Sequence, residues 1–190
     1  MMKYLYLAIF FFAIALTTNA QTTTVEKSIF GVQTGFFGLY VNNEARLTNS
    51  IALRSEIGLD AGLWGSDFND IYGFLLTPVL TLEPRWYYNL NKRVDKGRRT
   101  SNNSGNFVSI KTSYHPDWFT ITNAEDINFI GDFTIIPTWG IRRHIGNHFN
   151  YETGIGVGYG RYLTNRDGYE YYGDKNVVAV NLHLRIGYTF

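Results

Sequence analysis

The chain has 190 residues, 17% of them charged and 17% aromatic, with 17 basic residues against 16 acidic ones and no cysteine. A near-neutral balance argues against a nucleic-acid binder that works through phosphate contacts. The missing cysteines exclude disulfides, thiol catalysis, cysteine-based zinc sites and a lipid anchor on cysteine.

Residues 1–20 read as a secretory signal: Lys3 supplies a basic start, Tyr4 to Leu16 is almost wholly apolar, and Thr18-Asn19-Ala20 ends on a small residue. Cutting before Gln21 leaves residues 21–190 as one domain of suitable length, with equal numbers of acidic and basic residues. The leader run is too short for a stable membrane helix, and no later run approaches the roughly 18 apolar residues such a helix needs. A membrane-embedded form of this chain must therefore be a β-barrel.

Beyond Gln21 the pattern is one of period-two strands. Ser28–Thr34 and Phe37–Leu47 read as two strands joined tightly near Gly35-Phe36, and a turn at Thr48-Asn49 follows. In Ser50–Trp64, Ile51, Leu53, Ile57, Leu59, Ala61 and Leu63 oppose Arg54, Glu56 and Asp60. After a loop at 65–73, Phe74–Leu90 sets Leu76, Leu80, Leu82, Trp86, Tyr88 and Leu90 against Thr77, Thr81, Glu83, Arg85 and Tyr87; Pro78 and Pro84 predict irregularities within it. The basic connector 91–105 carries Lys92, Arg93, Lys96, Arg98 and Arg99 and is longer than a hairpin turn requires. It reads as a solvated turn, with anionic periplasmic polymers as the alternative contact.

Asn106–Ile121 puts Val108, Ile110, Tyr114 and Trp118 opposite Ser109, Lys111, Ser113, His115 and Asp117. Phe129–His144 puts Phe133, Ile135, Trp139 and Ile141 opposite Asp132, Thr134, Thr138, Arg142 and His144. In Phe149–Leu163 the polar face holds Glu152 and then Gly154, Gly156, Gly158 and Gly160, a row of missing side chains that suits the crowded inside of a small barrel. The last strand, Asn176–Phe190, has an unbroken apolar row of Val178, Val180, Leu182, Leu184, Ile186, Tyr188 and Phe190. An even strand number with both ends on one side gives eight strands. By the same parity the connectors at 65–73, 122–128 and 164–173 face out of the cell.

The row ending on Phe190 resembles the carboxy-terminal assembly signal of outer-membrane barrels, carried by Leu182, Leu184, Ile186, Tyr188 and Phe190. Together with Asn19-Ala20-Gln21 and the stretch Glu83-Pro84-Arg85-Trp86-Tyr87-Tyr88-Asn89, it makes the chain similar to small outer-membrane β-barrel proteins common in Bacteroidota, related in architecture to the OmpA transmembrane domain and OmpX. That resemblance implies an all-β fold, an eight-stranded antiparallel transmembrane barrel with a side-chain-filled lumen and no cofactor. It implies the outer membrane of a Gram-negative bacterium, with outer-membrane lipid, lipopolysaccharide and the barrel assembly machinery as partners and no nucleic acid. Trp86 and Tyr88 are then expected in an aromatic girdle at the membrane interface.

The polar faces predict a buried charge network of Arg54, Glu56, Glu83, Arg85, Arg142, Glu152 and Arg185, since charges inside so narrow a barrel must be paired. The function expected is a structural or cell-surface interaction role rather than catalysis. A membrane-embedded lipid A-modifying hydrolase or acyltransferase is the alternative, with Ser113, His115 and Asp117 as catalytic candidates. Residues two apart on one strand face are about 7 Å apart, so such a relay needs cross-strand partners. A secreted, soluble lipocalin-like barrel with its apolar rows turned inward is the second alternative. The histidines and the acidic positions Asp67, Asp70, Glu125 and Asp126 lack the spacing of a dedicated metal site, and none is assigned.

Overall fold

Strict alternation along each strand leaves one row of side chains to fill a lumen and one to cover an outside wall. In the computed structural model, which describes residues 23–66, 71–123, 129–163 and 174–190, these strands close into an antiparallel barrel. The strands are β1 (Ser28–Gly35), β2 (Gly38–Arg46), β3 (Ile51–Ser66), β4 (Ile71–Trp86), β5 (Asn106–His115), β6 (Ile121–Thr122), β7 (Asp132–Ile145), β8 (Phe149–Tyr162) and β9 (Asn176–Thr189). β1 pairs with β9 and closes the ring, with Val32 opposite Tyr188. β5 and the two-residue β6 both pair with β4, so they are two pieces of one stave and the barrel has eight. The expected signal segment, residues 1–20, and the acidic positions Asp67, Asp70, Glu125 and Asp126 lie outside the described residues.

Two strand limits depart from the sequence expectation, and the irregularity expected at Pro84 is present. β3 and β4 run on through Ser66 and from Ile71, so part of the loop expected at 65–73 is paired strand. The strand expected to reach Ile121 stops at His115, where Pro116 has no N–H to give the β4 ladder and three residues shift the register before β6. Pro84 leaves β4 fully paired to β3 but sits in a gap of the β4–β5 ladder, and Pro137 does the same between β7 and β8.

The glycine row of β8 answers that second gap. A Cβ on Gly156 would meet the Pro137 carbonyl oxygen, and one on Gly158 would meet the backbone of Ile135 and Ile136. Neighbouring backbone, which does not yield, fills the space. Gly158→Ala is expected to cost roughly 1–3 kcal/mol, seen as a lower urea midpoint. Gly62→Ala, whose new methyl would stand 3.8 Å from Leu75 Cβ, should leave the midpoint unchanged.

The two ends of the barrel differ. At one end lie the β1–β2 turn and the links from β3 to β4, β6 to β7 and β8 to β9. The other gathers residues 23–27, Phe190, the short β2–β3 and β7–β8 turns and the long connector. This connector is not an extended turn. It forms helix α1 (Leu90–Val94) and a 3-10 turn (Ser101–Asn103) that fold back across the barrel end. Leu90, expected in the outward apolar row, is buried with Val25, Ala52, Tyr87 and Phe107 in an apolar cluster under that cap.

Polar ties hold the cap down. Asn103 donates to Glu44 Oε1 at 2.5 Å and accepts from the Glu26 amide at 2.7 Å. Ser104 Oγ accepts from the His144 amide at 3.0 Å, and the Arg99 guanidinium reaches the β7–β8 turn at the Gly146 carbonyl. The length of the connector follows from this: it closes the end of the lumen rather than merely joining two strands.

Candidate functional site

The inward rows place four arginines and four glutamates in one buried cluster: Arg54, Arg85, Arg142 and Arg185 with Glu44, Glu56, Glu83 and Glu152. Register explains the arrangement. Glu44 of β2, Arg54 of β3 and Glu83 of β4 lie side by side across one wall, and Arg142, Glu152 and Arg185 of β7, β8 and β9 lie side by side across another. One wall reads minus, plus, minus and the other plus, minus, plus. The two are complementary when they face each other across the lumen.

The closest contacts run across the lumen or along one strand. Arg85 forks onto Glu152 at 2.7 and 2.8 Å and also meets Glu83 at 2.7 Å. Arg142 donates to Glu44 at 3.0 Å, and Arg185 grips Glu56 at 2.9 and 3.0 Å. Arg54 pairs with Glu56 on its own strand and donates to Gln33 at 2.6 Å and Asn42 at 3.2 Å. Ser109 donates to Glu83 at 2.6 Å. The flat guanidinium faces are used too: Arg85 lies 4.3 Å over the Phe107 ring and Arg185 3.7 Å over Tyr40. Arg54 and Glu152 are fully inaccessible to solvent.

All seven residues expected in the network lie in this cluster. Glu44, not assigned to the network from the sequence, joins it through Arg142 and Asn103. Only the β2–β3 register would have marked it, because it stands opposite Arg54. The glycine row takes part as well: a Cβ on Gly154 would strike the His183 ring, so its absence seats an imidazole that lies 3.5 Å from Glu152.

The catalytic candidates are not brought together. Ser113 Oγ shares a hydrogen bond with Thr81 Oγ1 at 2.9 Å. The two ring nitrogens of His115 are taken by Asp132 at 3.0 Å and Asp60 at 2.9 Å. Asp117 lies past the end of β5 and is exposed. None of the three bonds to another, so the row spaced two apart does not become a relay. The remaining histidines also have ordinary partners: His144 meets Thr189 Oγ1 at 3.0 Å, and His148 meets the Thr189 carbonyl at 2.9 Å and stacks on Tyr188.

Outside, the phases are reversed. Val178, Leu182 and Ile186 of β9 are 76%, 66% and 63% exposed, and Val41, Ile57, Leu82, Ile110, Ile155 and Val157 continue an apolar wall around the barrel. The lipocalin-like alternative requires these rows to point inward, and they do not. Near the capped end the wall turns aromatic. Trp86 and Tyr88 meet edge to face at 6.0 Å, Trp139 Nε1 donates to the Tyr88 hydroxyl at 2.9 Å, and Tyr188 packs against Phe149 and Phe190. Phe36, Phe37, Trp118 and Phe119 stand exposed at the opposite end.

The connector keeps its positive charge largely to itself. Partial burial, then the neighbouring Arg98 charge, hold the Arg93 guanidinium below its ordinary range, and Arg93 donates to the Arg99 carbonyl rather than to a carboxylate. No family model, curated protein or solved structure matches this chain.

Proposed function

We propose that the chain is an integral outer-membrane β-barrel of a Gram-negative bacterium, exported by residues 1–20, with a structural or cell-surface interaction role and no catalytic one. The observation that carries this reading is the inversion of the usual plan: an apolar wall continuous around the outside and a paired charge network within. Soluble monomers rarely expose apolar patches beyond a few hundred Å². β3, β4, β7, β8 and β9 have 14–16 residues each, more than the ~9–11 a tilted strand needs to cross a bilayer. The aromatic residues at the two ends of the wall suit membrane interfaces. Lipid and lipopolysaccharide then contact the wall, the capped end with both termini faces the periplasm, and Leu182, Leu184, Ile186, Tyr188 and Phe190 serve the assembly machinery.

This reading makes the protein a membrane resident but a poor pore. It is expected to stay with outer membranes through a high-salt wash, to need detergent for extraction, and to give little conductance in planar bilayers. Release by salt alone would overturn the membrane reading. Large, stable single-channel steps from pure protein would overturn the filled lumen.

A further inference from the structure

We propose that the half of the lumen away from the cap is a binding site for a small organic monocarboxylate, held through the Lys111 ammonium. The argument begins with a contrast inside the barrel. Each of the four lumen arginines stands within 3.0 Å of a glutamate oxygen. Among the described residues Lys111 forms no hydrogen bond or ion pair, although it points inward from the middle of β5. The Glu56, Glu83 and Asp60 carboxylates act on its charge only from beyond contact distance, so its N–H donors are left for another acceptor.

The space for a partner is there. Lys111 lines a cavity of about 280 Å³ together with Ser113, Thr134, Ile136, Val177 and Ala179. The charge network is its floor, since Ser109, the next inward residue toward the cap, donates to Glu83. The cap lies at the far end, and His115 and Asp132 line the cavity toward the opposite one. The lining is mixed: Lys111 and the Thr134 hydroxyl offer hydrogen-bond donors, while Ile136, directly across the ladder from Lys111, and Val177 and Ala179 offer apolar surface. A carboxylate with a short alkyl tail satisfies both.

The charge of the ligand is limited by its neighbours. Asp132 in the cavity wall and Asp60 behind it hold His115 between them, and their two negative charges offset the wall's other cation, Arg161, so a second negative charge on the ligand gains no partner. A monoanion is therefore favoured over a phosphate dianion. The argument rests on the geometry of the lumen and holds whether or not the wall faces lipid.

The test is a titration of the detergent-purified protein, labelled at isoleucine, valine and alanine methyl groups, with sodium butyrate, followed by NMR against a sodium chloride control. Saturable shifts are expected at Ile136, Val177 and Ala179, with no competition from inorganic phosphate. Lys111→Met removes a charge that makes no direct ion pair and should leave the barrel folded while weakening butyrate at least tenfold. Ala179→Phe keeps the ammonium but fills the cavity, and should abolish the shifts while the rest of the methyl spectrum stays in place. The absence of saturable shifts in the unmodified protein would overturn the site. Unchanged affinity in Lys111→Met would overturn the role of the ammonium, and phosphate competing as well as butyrate would overturn the monocarboxylate assignment.

Discussion

Arg85→Ala is expected to lower the stability of the refolded barrel by roughly 3–5 kcal/mol, the range seen when one member of a buried ion pair is removed. Arg85 touches Glu152 through two hydrogen bonds and Glu83 through a third, with Glu44 at 3.6 Å, and it is essentially inaccessible to solvent. Its loss leaves three carboxylates facing one another with one cation fewer. The charge imbalance, rather than the lost contacts alone, makes the change severe, and a double substitution separates the two. Arg85→Met with Glu152→Met removes equal and opposite charges, leaving Arg54 on Glu56 and Arg142 on Glu44, with Glu83 held by the Ser109 hydroxyl alone. The double variant should therefore be more stable than the sum of its single variants implies, because a buried ion pair replaced by apolar groups of similar volume is often close to neutral. Urea unfolding of all four proteins supplies the cycle. A single variant within about 0.5 kcal/mol of the unmodified chain, the usual effect of a surface substitution, would show that Arg85 is not a hub.

The strand phases were legible because two different surroundings act on alternate residues. The outward rows of β9 and the inward charges of β3 and β4 follow directly from period two, and the residues expected in the lumen network stand in it. Pairing across the lumen was not legible, since it depends on which strands face each other once the ring closes. Arg142 reaches Glu44, 98 positions away in sequence, and nothing local to either residue marks the other. The stop after His115 was written in Pro116, but the apolar Trp118 beyond it kept the alternation going and hid the break. The cap was least visible of all. A five-residue helix is too short for a helical period, and its Asn89 N-cap makes no capping bond, its side chain accepting instead from the Asn106 amide at 2.8 Å. Tertiary contacts determine that segment, above all the burial of Leu90, whose place in the outward phase of β4 predicted the opposite side.

Phe107→Ala is expected to undo the cap as well as weaken the barrel. Phe107 is wholly buried, its ring lies 5.6 Å from Tyr87 and under the Arg85 guanidinium, and it occupies the space left by Gly140, where a Cβ would strike the ring. Truncating a buried phenylalanine costs about 3–5 kcal/mol. Here the cavity would open between the charge network and the cap, so the damage should not spread evenly. The backbone amide of Ser104, bonded to Thr100 and Ser101 within the cap, should lose much of its protection from hydrogen exchange, whereas the Ile155 and Leu182 amides in the β8–β9 ladder should keep theirs until global unfolding. Water reaching Glu44 and Arg142 from the capped end would then raise the small bilayer conductance of the variant above that of the unmodified protein. Uniform loss of protection over the whole barrel would mean that the cap is a passive surface and that Phe107 acts only as core. Selective loss at Ser104 would establish the connector as a separately held closure of the lumen, which its 15-residue length would otherwise leave unexplained.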